Sequence, residues 1–153
     1  MENNRDFMKL LRAFEKVDAR YLLVGAFAVE HYGLPRTTRH MDIWLDDSPD
    51  NLERVYRAIT EFGAPPIALD HLNAAPPLDV VWIGVPPNRI DLTKGICGLE
   101  FATAWFRREE TEWQGVKVHV IGRKDLITAF REHGRAKDLA DAAALEVEAR
   151  PAG

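Results

Sequence analysis

Asp42 and Asp91 have the residue type and the surroundings that suit metal-dependent phosphate chemistry. Each aspartate lies between two apolar residues in a short β-favouring run. Side chains alternate along a strand, so each carboxylate is predicted to lie on the face opposite its apolar neighbours. Two such carboxylates on neighbouring strands can hold a divalent cation, and Mg²⁺ prefers one or two carboxylates with phosphate oxygens and water. The pattern favours a metal site, with a solvent-facing strand carboxylate as the alternative for each residue.

Gly25 is the second feature that suits phosphate chemistry. It follows a β-favouring run and opens a predicted helix. A glycine before a helix allows close backbone approach, and the free N–H groups at the positive helix end favour an anion. Ala26 has no hydroxyl, so only its backbone N–H can contact a phosphate. A plain strand-to-helix turn is the alternative at about even odds.

The elements that position these residues follow from apolar periodicity and turn signals. Strands are predicted at 20–24, 41–45, 78–83, 89–93, 109–113 and 116–121. Helices are predicted at 6–17, 26–32, 49–62, 101–107, 124–132 and 136–148. Residues 63–77 carry four prolines and admit a single helical turn around 67–72. This order predicts an α+β (α/β-like) domain with a central mixed β-sheet flanked by helices.

Composition indicates one ordinary domain over residues 1–153. The chain is 46% hydrophobic and 29% charged, with a net charge of −4 from 20 Lys and Arg against 24 Asp and Glu. That balance argues against a protein that coats duplex nucleic acid by bulk charge. A single cysteine excludes an intramolecular disulfide and suits a reducing compartment. The sequence has no apolar run of the ~20 residues that a membrane helix needs, so we expect a cytoplasmic protein without a membrane partner.

The order of the motifs resembles that of minimal nucleotidyltransferases of the DNA polymerase β-like superfamily. Their signature is a Gly-Gly or Gly-Ser after the first strand, an Asp-x-Asp on the next strand and a third Asp on a later one. Val24-Gly25-Ala26 stands at the first element, His40-Met41-Asp42-Ile43-Trp44 at the second and Arg89-Ile90-Asp91-Leu92-Thr93 at the third. The resemblance implies the nucleotidyltransferase fold.

Two further segments are similar to a bacterial subgroup of uncharacterised and toxin-antitoxin-linked nucleotidyltransferases. Gly33-Leu34-Pro35-Arg36-Thr37-Thr38 matches the lead into the Asp-x-Asp strand. Gly134-Arg135-Ala136-Lys137-Asp138-Leu139-Ala140-Asp141 matches a late Gly-Arg-x-Lys-Asp-x-x-Asp segment. The likeness runs over residues 21–145, which is nearly the whole chain.

The resemblance implies transfer of a nucleoside monophosphate from a nucleoside triphosphate to a hydroxyl, with Mg²⁺. Asp42 and Asp91 would hold the metal and act as catalytic residues, with Asp91 helping to activate the attacking hydroxyl. Gly25 and Ala26 would cradle the phosphates. The implied acceptor is RNA, including a tRNA end, or a protein side chain, and a toxin-antitoxin partner is a further expectation.

Three cations are predicted to contact phosphate. Arg36 and Arg39 would form a positive rim, with solvated loop charges as an equal alternative. Lys137 would reach a phosphate as a point charge, or would pair with Asp141 at i+4.

His40 departs from the pattern because it stands where the first Asp of Asp-x-Asp is expected. It shares a strand face with Asp42, so it is predicted to point into the same site. A neutral imidazole offers one nitrogen, cannot bridge two ions and supplies no negative charge. We expect weakened Mg²⁺ binding, and three interpretations stand: natural loss of catalysis, an unusual ligand or a substitution introduced to silence activity. The competing hypothesis is therefore an inactive module that binds nucleotide, RNA or a partner protein.

Other candidates favour structural roles. Asp46 lies about four residues beyond Asp42 at ~3.3 Å each, too far to share an ion. Trp44, Trp82 and the two later tryptophans are predicted as core or sheet-face aromatics rather than as base-stacking platforms.

Overall fold

Helices and strands alternate along the chain in the order that the sequence predicts. A computed structural model describes residues 5–36, 40–73, 80–84, 88–96 and 98–147. In that part of the chain the helices are α1 (Arg5–Val17), α2 (Gly25–His31), α3 (Pro49–Phe62), α4 (Pro66–Leu72), α5 (Phe101–Phe106), α6 (Arg123–His133) and α7 (Ala136–Val147). The strands are β1 (Tyr21–Val24), β2 (His40–Leu45), β3 (Val80–Ile83), β4 (Arg89–Thr93), β5 (Glu109–Trp113) and β6 (Val116–Val120).

The strands form one six-stranded mixed sheet in the order β3-β4-β2-β1-β6-β5. β1 is antiparallel to β2, while β2 is parallel to β4 and β1 is parallel to β6. The predicted hairpins are confirmed, since β3 pairs antiparallel with β4 and β5 pairs antiparallel with β6. The predicted mixed sheet is therefore confirmed, and β2 lies at its centre beside β4.

Helix ends follow from local side-chain chemistry. Ser48 caps α3 by accepting a hydrogen bond from the Asn51 backbone N–H, and proline occupies the first turn. Gly63 ends the same helix in the left-handed region, at φ 100°. Residues 66–72 form a seven-residue helix where a single turn was predicted. Proline is tolerated in its first turn, where a backbone N–H has no partner within the helix.

The core lies on both sides of the central strands. All four residues of β1 are buried, and α1 packs on α3 and β6. Trp44 is 2% exposed and packs edge-on against Phe101 at a centroid distance of 5.2 Å. No described helix is both long and apolar enough to cross a bilayer. The sheet is thus held rigidly by apolar packing around the strands that carry the aspartates.

Alternation is confirmed along β4 and over residues 40–43 of β2, beyond which Trp44 and Leu45 are both buried. Met41, Ile43, Ile90 and Leu92 are all buried, whereas the residues between them are only half-buried. Asp46 lies beyond this region, where it accepts a hydrogen bond from Arg20 Nε at 2.7 Å. Its predicted structural role is confirmed by that ion pair.

Candidate metal centre

The parallel register of β2 and β4 places the two aspartates side by side. Asp42 pairs with Asp91, and His40 pairs with Arg89, one step earlier on the same face. One ligand atom from each of His40, Asp42 and Asp91 lies within 4.8 Å of the other two. The structure therefore brings together the three residues that the sequence placed at a metal site.

Gly25 lies directly against this cluster. Its φ is +65°, and a Cβ atom built on it would lie 2.4 Å from Asp42 Oδ2. Real Cβ atoms do not approach an oxygen so closely, so glycine is required here by contact as well as by backbone conformation. The first residue of α2 thus abuts the Asp42 carboxylate, with half-buried Ala26 next to it.

Asp42 is the residue in the cluster whose titration is most perturbed. Its pKa is raised to about 6, mainly by burial and also by the charge of Asp91 and a hydrogen bond between the two carboxyl groups. His40 and Arg89 oppose this rise. His40 Nε2 lies 3.9 Å from Asp42 Oδ2. Two carboxyl groups in contact favour sharing a proton, or binding a cation that relieves their repulsion.

Arg89 is a site residue that the sequence analysis did not assign. Its Nε donates to Asp91 Oδ1 at 2.8 Å, and a second nitrogen donates to Oδ2 at 3.0 Å. Its guanidinium also lies 5.6 Å from the ring centroid of Trp82. A signal existed in the sequence, because Arg89 precedes Asp91 by two residues and so shares its strand face.

Arg135 is a second basic residue that was missed. Its pKa is raised mainly by Asp138, to which Nε donates at 2.8 Å, and the charge of Asp42 adds to that rise. Arg135 belongs to the late motif, in which the sequence predicts a phosphate contact for Lys137 only.

The three cations that are predicted to contact phosphate do not share one environment. Arg36 pairs with the buried carboxylate of Asp141 in α7. Lys137 is exposed on α7, and the i+4 pairing with Asp141 is replaced by the pair with Arg36. Arg39 lies outside the described residues. Phosphate contacts by these three side chains remain predictions.

A divalent cation fits the donor set. Two carboxylates and one imidazole converge from two rigid strands, and β2 and β4 hold them by a continuous five-residue register. Carboxylate oxygen suits Mg²⁺ and Mn²⁺, while imidazole favours transition metals. Arg89 donates a hydrogen bond to each oxygen of Asp91. Asp91 can therefore bind a cation only through an oxygen that it shares with Arg89.

Comparison with solved structures identifies the fold. A lincosamide antibiotic adenylyltransferase, LnuA with lincomycin bound, superposes with a TM-score of 0.61 at 14% identity, over 94% of this chain and 96% of that chain. TM1012, a candidate nucleotidyltransferase from Thermotoga maritima, gives 0.63 at 14% identity, over 95% of this chain and 92% of that one. ANT(2")-Ia with adenylyl-2"-tobramycin gives 0.52 at 13% identity, over 94% and 97% of the two chains.

These likenesses show that the chain has a nucleotidyltransferase fold, as the motif order predicted. No protein-family model matches the sequence, and no curated protein matches it significantly. The expected toxin-antitoxin link has no support among the three neighbours.

Proposed function

We propose that this protein is a metal-dependent nucleotidyltransferase that moves a nucleoside monophosphate from a nucleoside triphosphate to an acceptor hydroxyl. The observation that carries the proposal is the convergence of His40, Asp42 and Asp91 within 4.8 Å. The cluster abuts Gly25, where a strand feeds a helix, in a chain with a nucleotidyltransferase fold. Fold alone does not establish activity, so the proposal depends on the residues of this cluster.

Each residue of the cluster has a proposed role. Asp42 and Asp91 would hold Mg²⁺, and His40 would be the third donor. The bound ion would neutralise phosphate charge and stabilise the pyrophosphate leaving group. Asp91 would orient the attacking hydroxyl and accept its proton, while Gly25 and the Ala26 N–H would allow the triphosphate to approach the backbone.

Peripheral cations would complete the nucleotide site. Arg36, Arg39 and Lys137 are proposed to contact the phosphates, and Arg135 is added because Asp42 acts on it electrostatically. Arginine suits this role through bidentate contact with phosphate oxygens.

A small hydroxylated molecule is the proposed acceptor. Of the neighbours, one is an adenylyltransferase with lincomycin bound and another is complexed with adenylyl-2"-tobramycin. This chain covers 96% and 97% of those two chains, so it is comparable to them in length. An RNA or protein hydroxyl is the alternative. Because the net charge is −4, an RNA would have to be held by a local basic patch.

A binding module without catalysis is the second candidate function. It is favoured by two observations at one site: His40 replaces an expected carboxylate, and Arg89 engages both oxygens of Asp91. Both features reduce the negative charge available to a hard cation. Such a module would bind nucleotide or a partner without transferring a nucleotidyl group.

Label transfer distinguishes the two candidates. Each α-labelled nucleoside triphosphate would be incubated with Mg²⁺ or Mn²⁺ and with aminoglycosides, lincosamides or total RNA. We expect transfer by the parent protein and loss of transfer in Asp91→Asn. Transfer by His40→Asp alone would favour the binding module for the parent chain. If neither form transfers label while both bind nucleotide, the nucleotidyltransferase proposal is wrong.

A further inference from the structure

Trp82 is the most exposed of the four tryptophans. It is 63% exposed, whereas Val81 and Ile83, its neighbours along β3, are buried on the other face of the sheet. Single exposed apolar residues are common on protein surfaces, so exposure alone assigns no role to this indole. Its position in the sheet, next to the candidate metal cluster, is the feature that the proposed reaction does not yet use.

The strand register places the indole beside the cluster. Trp82 is the register partner of Asp91. Asp91 in turn pairs with Asp42, and Asp42 pairs with Val24, the residue before Gly25. Directly opposite residues point to the same face of a sheet, so these side chains form one row across four strands. The indole therefore flanks the Asp91 carboxylate on the side away from Gly25.

Arg89 joins the indole to the carboxylate. Its guanidinium donates to the two oxygens of Asp91 at 2.8 and 3.0 Å and lies 5.6 Å from the centroid of the Trp82 ring. The contact between cation and ring favours one orientation of the exposed indole. A carboxylate offers about four lone pairs, so Asp91 keeps the fork and still has oxygen lone pairs for a cation and for a hydroxyl.

The position of the indole indicates which substrate it faces, and this step rests on the proposed function. The triphosphate would approach Gly25, which lies three strand spacings from Trp82, or roughly 14 Å. The attacking hydroxyl would lie against Asp91, within a single strand spacing of the indole. A ring that carries an alcohol hydroxyl so close to it is a sugar or a cyclitol, and the C–H face of such a ring packs well on an aromatic side chain.

We propose that Trp82 is the acceptor platform of this protein, packing against the C–H face of a sugar or cyclitol ring while a hydroxyl of that ring lies on Asp91. In the transfer, the hydroxyl loses its proton to Asp91, its oxygen bonds to the α-phosphorus, and pyrophosphate leaves. Trp82 makes and breaks no bond in this step. It determines which acceptor is bound.

An RNA acceptor fits this surface less well. Proteins that bind single strands stack successive bases on several aromatic side chains along a basic groove. Here Trp82 is the only tryptophan that is more than half exposed, and the net charge of the chain is −4. A single exposed indole suits a small acceptor.

Nuclear magnetic resonance of the isotope-labelled full chain tests ring binding without any need for activity. The four tryptophans give four indole N–H signals, and Trp82→Leu identifies the signal of Trp82. The probes are methyl pyranosides, methyl furanosides and myo-inositol. We expect at least one of them to shift the Trp82 signal and to leave the other three in place. No shift of the Trp82 signal with any of these rings, or equal shifts of all four signals, would overturn the proposal.

Steady-state kinetics test the same surface during transfer, with the acceptor that the label-transfer experiment finds. We expect Trp82→Leu to raise the KM for the acceptor about tenfold, the size expected for one lost stacking contact, with kcat and the KM for the nucleotide unchanged. Trp82→Phe keeps an aromatic ring and should recover most of the loss. Phe106→Leu is the matched control, because Phe106 is 87% exposed on α5, outside the row of side chains, and should leave every constant unchanged.

The outcomes distinguish failure of this inference from failure of the proposed function. Transfer with an unchanged acceptor KM in Trp82→Leu, a rise in the nucleotide KM instead, or transfer to RNA alone would overturn the acceptor platform and leave the transferase standing. Absence of transfer by the parent protein, together with a sugar-dependent shift of the Trp82 signal, would overturn the transferase and support ring binding at Trp82.

Discussion

His40 determines how much negative charge the cluster offers to a cation. It shares a face of β2 with Asp42, and its Nε2 lies 3.9 Å from Oδ2 of that aspartate. We predict that His40→Asp binds Mg²⁺ about tenfold more tightly than the parent, because a carboxylate adds a charged oxygen donor where imidazole offers a neutral nitrogen. Isothermal titration with MgCl₂ measures the difference.

The control for this substitution is His40→Asn, which removes the imidazole without adding charge. It should bind Mg²⁺ no more tightly than the parent. If His40→Asp and His40→Asn bind Mg²⁺ equally, charge at position 40 does not control the site, and the expected weakening by His40 is wrong.

Asp42 gives a pH dependence whose sign follows from its environment. Burial raises its pKa from 3.8 to about 6, so the folded state binds this proton more tightly than the unfolded state. The associated stability is fully present below about pH 4 and is lost as pH rises through about 6. Because the side chain is 30% exposed, we expect a loss of about 1–2 kcal/mol rather than the full linkage value.

Urea unfolding in EDTA tests this prediction. The free energy of unfolding of Asp42→Asn, measured relative to the parent, should increase between pH 4.5 and 7. Asp47→Asn removes a carboxylate from an exposed position nearby and should show no such trend. Parallel pH profiles for the parent and Asp42→Asn would contradict a raised pKa at Asp42.

At the scale of elements, the junction of β1 with α2 sets the geometry of the site. We predict that Gly25→Ala lowers the free energy of unfolding by about 2–4 kcal/mol. About 1–2 kcal/mol comes from the left-handed backbone, and the remainder comes from the contact of the new Cβ with Asp42, 2.4 Å away before relaxation. Chemical denaturation measures the loss.

Gly63→Ala separates the two contributions. Gly63 also has a positive φ, of +100°, but a Cβ there meets nothing within 4 Å. Gly63→Ala should therefore lower the free energy of unfolding by the backbone contribution alone. A loss for Gly25→Ala no larger than that for Gly63→Ala would show that the backbone of α2 does not press on Asp42.

The elements were predictable because each depends on neighbours in sequence. Apolar alternation predicted β2 and β4, and apolar periodicity predicted α3 over residues 49–62, with the bounds that the structure shows. Helix α4, over Pro66–Leu72, was harder to predict, because prolines both start and stop helices. The residues of the candidate metal cluster came from the same alternation, and the family resemblance grouped them at one site, whereas the order of the strands in the sheet was not predicted.

Long-range pairing was not predictable from one sequence. Arg89 could be placed on the face of Asp91, yet its fork depends on rotamers that neighbours across β3 and β4 select. The i+4 rule suggested Lys137 as a partner of Asp141, whereas the folded chain supplies Arg36 from 105 residues away. Local rules describe what a side chain can reach along its own element, and they omit what tertiary packing brings nearer.

At the scale of the molecule, arginines hold three buried carboxylates in the C-terminal helices. Asp125 in α6 accepts a fork from Arg107, and Asp138 in α7 accepts from Arg135. Asp141 accepts from Arg36, which lies between α2 and β2. Among these three pairs, the last one ties α7 to the segment leading into β2, which carries Asp42.

We predict that Arg36→Met lowers the free energy of unfolding by about 1–3 kcal/mol, because it leaves the Asp141 carboxylate buried without its partner. Lys137→Met, which removes an exposed cation from α7, should change it by less than about 0.5 kcal/mol. Thermal and urea denaturation measure both. The double variant Arg36→Met with Asp141→Leu should recover much of the loss, since it removes the stranded charge and fills its volume. Failure to recover stability would mean that Arg36 acts through its own packing rather than through Asp141, and α7 would then be held mainly by its contacts with α6, which include the Arg131–Glu146 ion pair.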